Sequence, residues 1–421
     1  MSADAAPASS SVPSAPPVQD RIKHVFVLML ENRSFDHLFA LSGIANITAA
    51  SPHDSNAYGG AVYPFGGGAP DRMPTDPCHE FDDVLEQLCG AGVPFVKGRP
   101  YPRVDNSGFV SNYATSHSEG APPQPGALGT IMQGADVRTQ APSLYALANA
   151  FVLCDRWHAS MPGPTWPNRF FLHGASSAGL DHSPTKEEMA GWDAFDGFRY
   201  PNGSIFAALG DDNWRIYQDQ SGDPLGHVPQ VASLKGVSFF DVDDLSHFEA
   251  DLAAGYAARY TFIEPGYGDI VHGTYRNGSS HHPMDGLAGG DQLVARVYDA
   301  IRNSPVWDSS LLVIVYDEHG GFYDSVAPGA APPPNDGAGA TLNASGFEFD
   351  VYGVRVPAIV VSPWVAAAHV DHTPYDHSSI VATLGRLFGL APLTERDRAA
   401  NDLLSLVTAT CRTDCPARIG S

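Results

Sequence analysis

Four short apolar runs, each cut off by a polar loop, restrict what this chain can fold into more than any other feature of it. Residues 23–30 (Lys-His-Val-Phe-Val-Leu-Met-Leu) are apolar almost throughout and too short for a helix of ordinary length. They predict a strand buried on both faces. The run stops abruptly at Glu31, Asn32 and Arg33; residues 258–263 stop at Glu264, residues 311–316 at Asp317 and Glu318, and residues 354–361 at Ser362. Three of the four thus meet a carboxylate at once, which is where ligand sites form in open α/β sheets. For any one of these ends a solvated loop, with Asn32 or Ser34 capping the next helix, is the simpler explanation. The repetition argues against chance.

Helical patterns fill the intervals. Residues 291–301 place Leu293, Val297 and Ile301 on one stripe with Val294 and Tyr298 beside it, behind Asp291 as an N-terminal residue. Residues 378–388 repeat the pattern after the fourth run, with His377 just before it. Alternating strands and helices predict an α/β fold with a mostly parallel central sheet sandwiched by helices. Residues 50–130 and 180–250 are richer in Gly, Pro, Asn and Ser and read as loop-rich insertions in a single domain running from 21 to 421. Residues 1–20, rich in Ala, Ser and Pro, read as a disordered tail.

The chemistry gathers around Ser160-Met-Pro-Gly-Pro-Thr165-Trp-Pro-Asn-Arg169, between a short apolar run at 151–155 and a helical segment. Thr165 suits an N-cap, where its oxygen meets unpaired N–H groups and the positive end of the helix dipole. That is a place to stabilise an alkoxide or hold a phosphate, although a plain structural cap explains the threonine equally well. With the Thr165 hydroxyl, Glu31, Asn32, Asp317 and Glu318 offer five oxygen donors. Such a set favours a hard divalent cation, Ca2+, Mg2+ or Mn2+ rather than Zn2+. A cation there would lower the hydroxyl pKa and offset charge on a phosphoryl group. His79, His281, His282 and His377 lie in polar loops, where imidazoles hydrogen-bond phosphoryl oxygens or protonate a leaving alkoxide. A surface role is the simpler one for His377 and His37, whereas the adjacent pair at 281 and 282 in a Gly/Ser-rich loop points to a bound ligand.

A formal charge of -23 rules against a broad nucleic-acid surface and disfavours anionic membranes. No window approaches the length of an apolar membrane span, and residues 1–20 show neither the basic nor the apolar region of a signal peptide. Cys78 with Cys89, and Cys411 with Cys415, are spaced so that disulfides are permitted without being required, and neither pair has the spacing of a zinc site.

Glu31-Asn-Arg-Ser-Phe-Asp36, Gly163-Pro-Thr-Trp-Pro-Asn-Arg169 and Asp317-Glu-His-Gly-Gly-Phe-Tyr-Asp324 resemble, in this order, the three signature blocks of the bacterial and fungal phosphoesterase family. That family holds non-specific phospholipases C and acid phosphatases of the A type, within the alkaline phosphatase superfamily. The resemblance implies an alkaline-phosphatase-like fold and a metal-dependent hydrolase of phosphate esters. In it Thr165 is both nucleophile and metal ligand, and Glu31, Asn32, Asp317 and Glu318 complete the metal shell. His79, His281 and His282 match the family's histidine positions on looser flanking sequence and are expected to be catalytic; Arg169 and His377 are expected to contact substrate. The Thr165-x-Pro-x-Arg169 form also resembles the sulfatase signature, but threonine cannot supply the formylglycine that sulfatases need. Threonine at this position accompanies phospholipase members of the family and serine the acid phosphatases. The resemblance therefore implies a phospholipase C-type phosphodiesterase working through a phosphothreonine intermediate on a small phosphate ester or phospholipid headgroup. The alternatives are an acid phosphatase-type phosphomonoesterase and a headgroup-binding protein without turnover. The family context allows secretion or a periplasmic location.

Overall fold

A computed structural model of the protein describes residues 17–115, 120–195, 197–220 and 229–419. The first apolar run forms β1 (His24–Leu30), near the centre of an eight-stranded sheet. The other strands are β2 (Val152–Cys154), β3 (Trp214–Gln218), β4 (Val242–Asp244), β5 (Tyr260–Glu264), β6 (Ser310–Tyr316), β7 (Ala358–Val361) and β8 (His369–Asp371). Across the sheet they run β8-β2-β7-β6-β1-β5-β3-β4. Every pairing is parallel except those of β7, which is antiparallel to β6 and β2.

Side chains alternate between the two faces of a strand, and β1 and β5 use both. Phe26 and its register partner Thr261 face Phe248 and Tyr256. The next pair, Val27 and Phe262, points the other way, where Phe262 meets His173 of the Thr165–Gly174 helix edge to face. That helix packs on the Ser378–Phe388 helix, whose bounds are those the periodicity predicts. The Ala288–Arg302 helix packs on the Pro142–Ala150 helix. With helices covering both faces, β1 and β6 have no polar face to show, which is why their sequences are continuous apolar runs.

Because β1, β5 and β6 are parallel, their carboxyl ends share one edge and bring Glu31, Glu264 and Asp317 together. The fourth apolar run does not join them. As β7 runs antiparallel, Ser362 emerges at the opposite edge, where its hydroxyl donates to the Ser310 carbonyl at the start of β6 (2.7 Å).

The segment at 50–130 builds a hairpin, Ser55–Tyr58 with Ala61–Pro64, and two helices, Phe81–Cys89 and Phe109–Thr115, around a small core of its own that includes Val84, Leu88 and Phe109. The segment at 180–250 is not wholly an insertion, since it supplies β3 and β4 at the edge of the central sheet. β3 lies one place in from that edge, paired on both sides by β5 and β4, and its exposed Arg215 breaks Trp-Arg-Ile-Tyr-Gln, which therefore lacks the apolar run that announces β1. Of the expected tail, residues 1–16 lie outside the described residues, and Val18–Arg21 form a helical turn. No helix among the described residues is long and apolar enough to cross a membrane.

Candidate active site

Thr165 is the first residue of its helix and Pro164, in extended conformation, is the N-cap, one position before the cap that the sequence suggests. No side chain caps this end, and Asn168 instead braces the loop that leads into it. Asn168 accepts from the Met161 N–H (3.0 Å) and donates to the Gly163 and Pro164 carbonyls (both 3.0 Å), pinning the approach loop to the first turn. The Thr165 hydroxyl makes no capping bond and lies 3.4 Å from Asn32 Oδ1. Pro164 and Pro167 carry no N–H, so the Thr165 and Trp166 amides are the donors left open at this helix end.

Asn32 follows β1 in the left-handed region (φ 58), a conformation asparagine tolerates better than most residues. Its N–H donates to Asp317 Oδ1 (3.1 Å), which also accepts from the Glu318 N–H (2.7 Å). One atom of its side-chain amide lies 2.8 Å from Glu318 Oε1 and 3.3 Å from Asp317 Oδ1, where an NH2 donates to both carboxylates and an oxygen meets only acceptors. Acceptors that close repel one another unless the amide turns over or a cation lies among them. Glu31, at the end of the same strand, is buried with Oε2 lacking any partner. Burial raises its pKa to about 8 and that of Asp317 to about 6, against the pull of Arg169. Burial works to raise Glu318, but His79, His319 and the Gly320 N–H together outweigh it and hold this carboxyl below its ordinary value.

Beneath the carboxylates sits Arg169, fully buried, its Nε on Asp317 Oδ2 (2.9 Å) and its Nη1 on Glu264 Oε2 (2.7 Å). His377 is buried as well. Its Nδ1 accepts from the Trp157 indole (3.3 Å), so Nε2 donates to the Asp317 carbonyl (2.6 Å). Burial lowers its pKa to about 4 and keeps it neutral. Both residues, expected from the sequence to contact substrate, instead spend their donors on holding Asp317 from below.

The cavity above, about 280 Å³, is lined by Glu31, Asn32, Thr165, His79 and His282. His79 donates from Nδ1 to the Pro77 carbonyl (2.9 Å), which turns Nε2 toward Glu318 Oε1 at 3.9 Å. Burial opposes its positive charge, yet Glu318 and Asp76 outweigh burial and raise its pKa to about 10. His282 accepts the Met284 N–H at Nδ1 (3.3 Å), leaving Nε2 to carry the hydrogen, 3.7 Å from Asp76 Oδ1. Burial, with His79 and Arg33 nearby, keeps that ring neutral. One charged and one neutral imidazole therefore share the cavity.

His281 does not line it. Its Nδ1 lies 2.6 Å from the Tyr316 hydroxyl, and its ring is so close to the Ala288–Arg302 helix that a Cβ added at Gly290 would stand 2.1 Å from it. The backbone at His281 is left-handed (φ 73), which sends two consecutive side chains in different directions. The rest of the wall, Asp76, Trp166, Ser183, Gln230, Tyr267, Ile270 and Tyr275, went unmarked by the sequence. Only Asp76, in Asp76-Pro-Cys-His79, stood close enough to a singled-out histidine to be found.

The family model described as the Phosphoesterase family matches residues 22–391, a span that holds all eight strands and every residue of this cavity. The chain belongs to the phosphoesterase family. It is accordingly a hydrolase acting on phosphoric ester bonds. Among the relatives of this phosphoesterase, the non-specific phospholipase C6 of Arabidopsis thaliana is 37% identical over 94% of this chain and 75% of its own length. The non-specific phospholipase C3 of the same plant is 33% identical, over 94% and 76%. The hemolytic phospholipase C of Pseudomonas aeruginosa is 28% identical over 89% of this chain and 53% of its own length. Likeness to solved structures is remote, as with the phosphonate monoester hydrolase of Agrobacterium radiobacter (12% identical, TM-score 0.37, 94% of this chain and 79% of that one).

Proposed function

We propose that this phosphoesterase is a metal-dependent phosphodiesterase of the phospholipase C type, with Thr165 as nucleophile and a phospholipid headgroup ester as substrate. The observation that carries the reading is the uncapped Thr165 hydroxyl at the mouth of its helix, beside the Asn32 side-chain amide and the carboxylates of Asp317 and Glu318. The names of the phospholipase C relatives supply the substrate class.

The donors fit a hard cation. Asp317, Glu318, the Asn32 amide oxygen and the Thr165 hydroxyl are all oxygen donors, with the partnerless Glu31 Oε2 beside them. Among the described residues no three His, Cys, Asp or Glu side chains close into a ready-made cage, so the amide and the hydroxyl would belong to the shell. Ca2+, Mg2+ or Mn2+ suits such donors better than Zn2+. When bound, the cation would lower the threonine pKa and offset phosphoryl charge.

The chain's own groups do the rest. The Thr165 hydroxyl gives up its proton to solvent, and the resulting alkoxide attacks phosphorus in line as the bond to the leaving alcohol breaks, giving a phosphothreonine. His79, positively charged, supplies the proton to the leaving oxygen, and the His282 Nε2–H hydrogen-bonds a phosphoryl oxygen, oriented by Asp76. Water, passing a proton to the now neutral His79, then attacks the phosphothreonine; the P–O bond to Thr165 breaks, and its oxygen regains a proton from solvent. The test is the ratio of turnover on p-nitrophenyl phosphorylcholine to turnover on p-nitrophenyl phosphate, with one metal-replete preparation. A ratio well above one supports the diesterase; a ratio well below one replaces it with the acid phosphatase type.

A further inference from the structure

The loop from Gly266 to Ser279 leaves the end of β5 and closes on itself. The Ser279 N–H donates to the Gly266 carbonyl (2.7 Å), and Ser279 Oγ accepts the Gly266 N–H (2.9 Å) while donating to Asp219 (2.6 Å). Inside it, the Asp269 carboxylate accepts from the His272 N–H (3.2 Å) and the Thr274 hydroxyl (3.0 Å), and its carbonyl accepts the N–H groups of Thr274 and Tyr275 (both 3.0 Å). At the tip the aliphatic side chains point out, beside the exposed imidazole of His272. Ile270 is 39% exposed and Val271 77% exposed. A lone exposed aliphatic is ordinary. Here two adjacent ones are held on a stapled turn, and Ile270 also lines the active cavity, as do Tyr267 and Tyr275 at the two ends of the loop.

We propose that Ile270 and Val271 form an interfacial anchor that enters the outer layer of a zwitterionic lipid surface and holds the cavity mouth against the headgroups. This rests on the phospholipase reading for its choice of partner, because a surface that meets the tip also meets the mouth of the cavity where the ester is cleaved. The charge of -23 selects among lipid surfaces. It repels anionic leaflets, so the attachment must come from apolar insertion rather than from charge. Burial of a valine side chain changes a partition constant on the order of tenfold or more.

The experiment is co-sedimentation of metal-replete protein with vesicles of a phosphatidylcholine analogue in which a methylene replaces the glycerol–phosphate oxygen, so that the vesicles are not consumed. Turnover on soluble p-nitrophenyl phosphorylcholine is followed alongside. Val271→Asp is expected to lower vesicle partitioning about tenfold or more, Val271→Ala to lower it by less, and both to keep soluble turnover within about twofold of wild type. Wild-type protein that stays in the supernatant, or a Val271→Asp protein that sediments as wild type does, overturns the anchor. Intact, Val271-dependent sedimentation without turnover on the soluble diester counts against the phospholipase reading and leaves the anchor standing.

Discussion

At Arg169 a single guanidinium serves two buried carboxylates from two different strand ends, Asp317 through Nε and Glu264 through Nη1. Removing one side of a buried ion pair leaves an uncompensated charge, a loss of about 3–5 kcal/mol. Arg169→Met is expected to cost that much in urea unfolding. Arg169→Lys should fall between, because it keeps the charge and loses the fork that reaches both carboxylates. An Arg169→Met protein as stable as wild type would show that the carboxylates protonate at little cost. Thr165 behaves oppositely. Its side chain makes no capping bond, so Thr165→Ala should leave the melting temperature nearly unchanged while abolishing turnover; turnover near wild type removes Thr165 from the mechanism. At this scale the sequence showed residue types but not directions. His281 and His282 are indistinguishable as letters, and a left-handed backbone angle decides that only the second reaches the cavity.

The helix from Thr165 to Gly174 carries the nucleophile at one end and a buried titratable group near the other. His173 lies between Phe206 and Phe262, and its Nδ1 has no partner. Burial, helped by Arg169 and His377, lowers its pKa to about 3 from 6.5. Above pH 6.5 folded and unfolded chains both hold it neutral. As pH falls through 6.5 the unfolded chain takes a proton that the folded chain refuses, so this group removes about 1.4 kcal/mol of stability per pH unit until its folded pKa is reached. His173→Phe should therefore gain on wild type as the pH is lowered, read as urea midpoints at pH 7 and pH 5; an equal difference at both would show that the ring is not held neutral. Elements were legible where burial is two-sided. β1, β6 and the Ser378–Phe388 helix stand out in the sequence, since nothing polar interrupts the strands and the helical stripe is complete. The direction of β7 was not legible, because an apolar run reads the same in either orientation, and β3 was hidden by Arg215 and Gln218, which interrupt its run.

For the whole molecule, a cation that binds only the folded state should stabilise it by about 2.7 kcal/mol at a hundredfold excess over Kd. With an unfolding entropy typical of a chain this size, that raises the melting temperature by roughly 3 °C. Calorimetry with and without Ca2+, Mg2+ or Mn2+ checks this, and Asp317→Asn should remove the shift; a rise that survives the substitution places the ion elsewhere. The architecture as a whole was readable from the strand ends, whereas the long loops between them hid where the cavity wall would come from. The order of the strands has a further consequence, for how the chain comes to be made. β1 leaves the ribosome first, yet its neighbours are β5 and β6, with His24 paired to Ser310. At ordinary rates of synthesis the residues that separate β1 from β5 take on the order of 10–50 s to appear. Throughout that interval the nascent protein carries a seven-residue, largely apolar strand with neither neighbour made, so a trigger for aggregation is present from the first seconds of translation, and a chaperone able to shield His24–Leu30 until β5 and β6 emerge should raise the yield of folded enzyme.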